Sequence, residues 1–330
     1  MSVTIKDVAK VAGVSPSTVS RVVNNDGRIS DETRNKVLKC MKELGYQVNN
    51  IARSLKTNKT MTVGFISPEL SNDVFMSIAK GAEDEFRKHG YSMIICNSNE
   101  CVEDENDRIS LLSQKCVDGM IIIPASSEGE HYSQISAAGL PVVLVDRLVE
   151  HFEADAVLVD NINGSYSAVE YLINSGQRRI GFIGGDIRLT SAGERFEGYR
   201  RALSDYCIPL EEDIVRFGDY HIDSGYRIMG ELMEMVDPPD YVFISNYYMH
   251  IGAMKYLLER GEPITKRASI AAFDDLEFSG ILGFSSVRVA QPMLEIGSRA
   301  AQILLARIHG EKMPFPQIIR LKTSLKSDYK

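Results

Sequence analysis

Apolar positions follow two different rules along this chain. In the first 45 residues they recur at helical spacing. Ile5, Val8, Ala9 and Ala12 share one face, then Val19, Val22 and Val23, then Val37, Leu38, Met41 and Leu44. The punctuation agrees with three short helices. Thr4 stands as a first N-cap with Asp7 three positions on, a variant of the capping box. Gly13 suits the left-handed position after the first helix. Ser15-Pro16 places a cap and then a proline where its missing N–H costs nothing. Ser30 caps the third helix, Asp31 and Glu32 suit its positive end, and Gly45 ends it.

From Met61 onward the pattern changes to short continuous apolar runs separated by amphipathic stretches. Val63–Ile66, Ser92–Ile95, Gly119–Ile123, Pro141–Val145, Val157–Val159, Ile180–Ile183, Tyr241–Ile244 and Ser269–Phe273 read as buried strands, with helices such as Phe75–His89 between several of them. Alternating β and α predicts parallel sheets covered on both faces. There are too many units for one sheet, so the expected fold is an all-α helix-turn-helix head on a two-lobed α/β body with a cleft between the lobes.

Two short helices joined by a tight glycine turn and braced by a third form the helix-turn-helix arrangement. A plain three-helix bundle is the alternative. Against it, the short second helix turns Ser17, Thr18, Arg21 and Asn24 away from its apolar stripe, and such side chains reach base edges and phosphates. Charge supports this. The chain carries a net −8, but residues 1–60 hold 11 Lys and Arg against 5 Asp and Glu, a net of +6, which leaves −14 for the rest. A basic head on an acidic body fits a separate polyanion-binding module.

With 44% apolar and 25% charged residues the composition is that of a soluble globular protein. No apolar run approaches the roughly eighteen residues of a membrane span. The opening Met1–Asp7 lacks a signal peptide's apolar stretch, so the expected location is cytoplasmic. Cys40, Cys96, Cys101, Cys116 and Cys207 form no C-x-x-C pair and read as small buried hydrophobes. The six histidines are dispersed, without metal-ligand spacing, and read as surface residues. The nucleotide-binding G-x-x-x-x-G-K-[ST], the hydrolase G-x-S-x-G and the metalloprotease H-E-x-x-H motifs do not occur. Gly181-Phe-Ile-Gly184-Gly185 lacks dinucleotide-binding spacing and reads as a turn at a strand end. No catalytic residue, metal site or cofactor is therefore expected.

Thr4-Ile-Lys-Asp-Val-Ala-Lys-Val-Ala-Gly-Val-Ser-Pro-Ser-Thr-Val-Ser-Arg-Val-Val-Asn24 closely resembles the opening of the lactose/galactose repressor (LacI/GalR) family, and Tyr46–Leu55 resembles that family's hinge helix. The resemblance divides the chain into a DNA-binding head (1–48), a hinge (49–61) and an effector-binding and dimerisation body (62–330). The body's first lobe would hold about 62–160 plus 292–320, and its second about 161–291 plus the C-terminal tail. It implies DNA contacts from Thr4, Pro16, Ser17, Thr18, Arg21 and Asn24, and from Ala52 and Leu55 in the hinge. Leu55 would be an apolar wedge in the minor groove at the dyad of a homodimer on a near-palindromic operator. A helix this short is marginal by itself, so a plain linker is the alternative reading.

Matched to the family's pocket motifs, Phe75, Ser126, Asp146, Arg147, Arg195, Tyr220, Asn246 and Asp274 are the effector-binding candidates, mostly at strand ends where open α/β sheets bind ligands. Carboxylates and guanidinium forks grip vicinal hydroxyls while rings cover C–H faces, which suits a sugar. A nucleoside or purine-type effector is the alternative, and a structural ion pair is the bland reading of each charged member. The sequence also departs from the family: after Asn246 relatives usually have Asp, and here Tyr247-Tyr248 follows. Gln291-Pro292 opens a helix over 293–309. The catabolite-control branch has Tyr-Asp after Gln-Pro-x. Leu294 and Glu295 stand there in this chain, so no phosphocarrier partner is expected. Two rival functions are a sugar-binding transport protein, disfavoured by the head, and an enzyme, which lacks a constellation. The function implied is a sequence-specific DNA-binding transcriptional repressor controlled by a small effector.

Overall fold

Three helices form in the basic head: α1 (Ile5–Ala12), α2 (Pro16–Val23) and α3 (Asp31–Glu43). The computed structural model describes residues 3–23, 27–46, 59–261, 269–275 and 285–327. The chain divides into two units, Met1–Thr60 and Met61–Lys330. In the head, the Asp7 carboxylate accepts from both the backbone N–H of Thr4 (2.9 Å) and its hydroxyl (2.6 Å), which fixes the first turn of α1. Gly13 takes φ +65° beyond the helix end, and the Val14 N–H returns to the Ala9 carbonyl. Ser15 accepts the Thr18 N–H at 3.1 Å and opens α2. Val8, Ala9, Ala12, Val19, Val22, Val37 and Cys40 form the small core. Cys40 takes the buried place that the spacing gave to Leu38, whose side chain is exposed. The two are two residues apart, and helical spacing alone does not settle which edge of the stripe faces inward.

The body contains β1 (Thr62–Ser67), α4 (Asp73–Lys88), β2 (Ser92–Asn97), α5 (Val102–Gln114), β3 (Met120–Ile122), α6 (Ser133–Ala138), β4 (Val142–Val145), β5 (Asp155–Val159) and α7 (Asn161–Asn174). There follow β6 (Ile180–Gly184), α8 (Thr190–Asp205), β7 (Val215–Phe217), α9 (Ile222–Met233), β8 (Tyr241–Ile244), α10 (Tyr247–Glu259), β9 (Ser269–Phe273), β10 (Ser285–Ala290), α11 (Met293–His309), β11 (Ile318–Leu321) and β12 (Ser324–Ser327).

One sheet has the order β11-β5-β4-β3-β1-β2, all parallel. The other runs β12-β10-β9-β8-β6-β7, parallel except for the antiparallel β12–β10 pair. The apolar runs are continuous because both faces are covered. Phe65, Ile121, Val143 and Val157 join the core shared with α4 and α11, while Ile66, Ile122, Leu144 and Leu158 pack with Ile109 and Leu112 of α5. The chain passes between the sheets three times: at residue 160, at 291–292 and at 322–323.

Two helix pairs approach at glycines. A Cβ on Gly297 of α11 would lie 1.9 Å from the Ile78 carbonyl oxygen of α4, and one on Gly81 would lie 2.1 Å from the Leu294 carbonyl. In α9 and α10 the same reciprocity holds, with Gly252 against Ile222 (1.9 Å) and Gly225 against Met249 (2.2 Å).

Several single-residue expectations are corrected. Cys40 and Cys96 are buried, but Cys116 and Cys207 are exposed, both at left-handed φ just past helix ends. His250 is fully buried in α10, where burial, aided by the charge of Arg288, pulls its pKa down to about 3 and keeps it neutral. His131 is mostly buried, with its Nε2 2.6 Å from the Glu105 carboxylate. Gly184 ends β6 and Gly185 lies just beyond it, at the strand end as read, but packing gives both a further reason. Added Cβ atoms there would meet the Phe182 ring at 2.3 Å and the Tyr220 ring at 2.1 Å, so both glycines make room for rings.

Candidate functional site

In the head, Ser17 and Arg21 are exposed on α2. Thr18 is half-buried, and its hydroxyl lies 2.9 Å from that of Ser15. Pro16 occupies the first position of α2, and Thr4 is exposed ahead of α1 with its hydroxyl engaged by Asp7. The expected contacts at Asn24, Ala52 and Leu55 lie outside the described residues.

In the body, seven of the eight effector candidates line one pocket: Phe75, Asp146, Arg147, Arg195, Tyr220, Asn246 and Asp274. Ser126 does not line it; its hydroxyl accepts the Glu128 N–H at 3.1 Å. The pocket lies where strands end and helices begin. Asp146 and Arg147 follow β4, Asn246 follows β8, Asp274 follows β9, and Phe75 and Arg195 stand near the starts of α4 and α8. Asp146, Tyr220 and Asp274 have φ of +68°, +67° and +76°. Left-handed backbone is costly for residues with a Cβ, most of all for a tyrosine, and such strain concentrates at functional sites. Three of these residues around one pocket is an argument independent of any family.

The charges are arranged across the cleft. Arg195 is buried and donates from Nε to Asn161 Oδ1 (2.9 Å) and from Nη1 to the Ser245 carbonyl (2.9 Å). Its guanidinium lies 3.9 Å over the Phe273 ring. Its Nη2 stands 3.6 Å from Asp146, whose other oxygen accepts from Ser191 at 3.4 Å. Burial works against the charge of Arg147, but Glu100, bonded at 2.9 Å, and Asp146 more than offset it and hold its pKa raised. Burial pushes the Asp274 carboxyl up, opposed by Arg195 and by the Gln291 amide, which donates to it at 2.5 Å. Burial likewise pushes the Tyr220 phenol up to about 12.

The inner pocket leaves about 20 Å³, room for little more than one water molecule. A chamber of about 270 Å³ adjoins it, sharing Asn72, Phe75, Arg147, Tyr220 and Asn246 and adding Glu69, Asn99, Glu100, His221 and Tyr248. Sequence reasoning missed Asn161, Ser191 and Gln291 as supports of this site. Gln291 stands directly beyond β10 and Asn161 two residues beyond β5, both where the chain leaves one sheet for the other, a signal the strand-end rule could have used. Among the described residues there is no cluster suited to a metal ion and no helix long and apolar enough to cross a membrane.

The family model for bacterial regulatory proteins of the lacI family matches residues 4–49. That for periplasmic binding proteins and the sugar-binding domain of the LacI family matches 60–322. The chain belongs to the LacI family. Consistent with this, it is 33% identical over 327 residues to the HTH-type transcriptional repressor PurR of Vibrio atlanticus, covering 97% of this chain and 98% of that one. Among solved LacI-family structures, the Lac repressor dimer bound to operator and the anti-inducer ONPF superposes with a TM-score of 0.85 at 25% identity, covering 98% of both chains. The complex of the transcriptional regulator CelR with cellobiose has a TM-score of 0.73 at 29% identity, also covering 98% of both. This LacI-family chain is a DNA-binding transcriptional regulator, not an enzyme.

Proposed function

We propose that the chain acts in the cytoplasm as a dimeric repressor, released from or held on a near-palindromic operator by a polar small molecule bound between its lobes, most suitably a sugar. The observation that carries the effector reading is the gathering of two carboxylates and two guanidiniums, all buried, at the strand ends of both lobes. A ligand whose hydroxyls bond Asp146, Arg195 and Asp274 favours one disposition of the lobes, and a ligand shifts an equilibrium only by such differential contacts. The rings of Phe75 and Tyr220 suit the C–H face of a sugar. They would also stack a base, which keeps a nucleoside as the second reading. A thermal-shift panel of sugars, sugar phosphates and nucleosides separates the two, since a ligand at a hundred times its Kd adds about 2.7 kcal/mol of stability. A panel in which only nucleosides raise the melting temperature would reverse the choice.

On the DNA side, Ser17 and Arg21 on the exposed face of α2 are proposed to read bases, with Leu55 as the wedge at the dyad. Arg21→Ala is expected to weaken operator binding by about 1–3 kcal/mol and to relax choice at one base pair, leaving random DNA nearly unaffected. Equal losses on both DNAs in a gel-shift titration would reduce Arg21 to a phosphate contact.

A further inference from the structure

The pair Tyr247-Tyr248, where relatives usually continue with Asp, is not used by the functional reading. Both side chains span the cleft. From the start of α10 in the second lobe, the Tyr247 hydroxyl donates to Asp73 Oδ2 at 2.6 Å, in the first turn of α4 in the first lobe. The Tyr248 hydroxyl and the Ser71 hydroxyl lie 2.8 Å apart, two residues before that same turn. The rings meet edge to face, with centroids 5.4 Å apart, so each braces the other.

Their placement divides the cleft. Tyr247 lines the inner pocket of about 20 Å³ beside Asp146, Arg195 and Asp274, and Tyr248 lines the outer chamber of about 270 Å³. Asn246, just ahead of them, is held by its own cap, its Oδ1 accepting the Met249 N–H at 3.0 Å, so the tyrosines start from a fixed point. Burial keeps both phenols protonated well past neutral pH, and Tyr247 remains a donor to Asp73 throughout the physiological range.

We propose that Tyr247 and Tyr248 form a gate on the effector cleft, tying the two lobes together at Asp73 and Ser71 and deciding what enters. This rests on the cleft being the effector site. With the gate in place, a ligand offers one small polar group to the inner charges and keeps its body in the outer chamber, against the rings of Tyr220, Tyr248 and Phe75. A bulkier head group enters only when Tyr247 leaves.

The Tyr247→Phe/Tyr248→Phe double variant keeps both rings and removes both bonds. Hydrogen exchange of the amides in 73–78 and 247–252 is expected to quicken about tenfold or more, as two net hydrogen bonds would require. Ser71→Ala/Asp73→Ala, cut from the opposite side, is expected to reproduce it. Unchanged exchange in both double variants overturns the gate. Tyr247→Ala tests selection, with ribose, glucose, cellobiose and adenosine as calorimetric probes. For any probe that binds the unaltered chain, the ratio of its affinity to that of a larger probe should shift about tenfold or more towards the larger one; an unchanged order overturns the selective role. If no probe binds any of the proteins, the effector reading fails on these classes, and the exchange result alone decides the gate.

Discussion

Arg195→Ala is expected to cost about 3–5 kcal/mol of stability and at least about a thousandfold in effector affinity. The residue is 6% exposed and answers three groups at once, the Asn161 amide oxygen, the Ser245 carbonyl and the Asp146 carboxylate, while stacking on Phe273. Truncation leaves the buried Asp146 carboxylate with Arg147 alone, its Nε 3.3 Å away, and takes from Asp274 the charge that opposes its burial; losing one partner of such a buried charge cluster costs about 3–5 kcal/mol. For a body of this size that is roughly 10 °C or more in melting temperature. Arg195→Lys separates the two effects. A lysine restores the charge but not the planar fork, so it should recover part of the stability and little of the affinity. A melting temperature within a degree or two of wild type would show that Arg147 alone suffices for Asp146. Undiminished calorimetric affinity for whichever panel member binds would move the effector elsewhere.

The second large effect is expected far from the pocket. Gly297→Ala places a methyl 1.9 Å from the Ile78 carbonyl oxygen and 2.7 Å from the Ala82 nitrogen. These are backbone atoms of a facing helix, so no rotamer change relieves them, and α4 and α11 must part along the contact. Overpacking usually costs 1–3 kcal/mol, and a backbone clash this deep belongs at about 3 kcal/mol or above. That outweighs the gain of up to about 1 kcal/mol that alanine brings to a helix. Urea unfolding of the variant should show a lower midpoint at unchanged slope. A stability equal to wild type would mean that the helices slide apart freely, and the close approach would have no energetic weight.

The eight strands read from apolar runs are all strands in the structure; seven lie inside a sheet covered on both faces, where burial rewrites the two-residue period as a continuous run, and β2 is a half-buried edge strand. β7, β10, β11 and β12 were not legible, β10 because Arg288 interrupts its short apolar stretch. β7 and β11 are short edge strands, and Ser324-Leu-Lys-Ser327 is exposed throughout, so it carries neither a run nor an alternation. The pocket shows a similar divide. Charged residues directly after a strand, such as Asp146 and Asp274, are visible to a strand-end argument. Ser191, in the first turn of α8, looks like any small polar residue at a helix start. Tyr247 was visible only as a departure from the family pattern, and its bond to Asp73, 174 positions earlier in the chain, follows from tertiary structure alone.

The last two strands place a condition on synthesis. Ile318–Leu321 completes the first sheet beside β5, and Ser324–Ser327 completes the second beside β10. A nascent chain emerging from the ribosome can assemble its head early, since domains fold in order of emergence. Neither lobe, however, has its outer strand until more than 300 residues have been made. Up to that moment β5 and β10 both present bare edges, the feature that invites pairing with neighbouring chains. A ribosome stalled ahead of Ile318 therefore leaves both lobes open to aggregation together, and the same few residues, once released, cover the edges of β5 and β10 with two short, largely exposed strands.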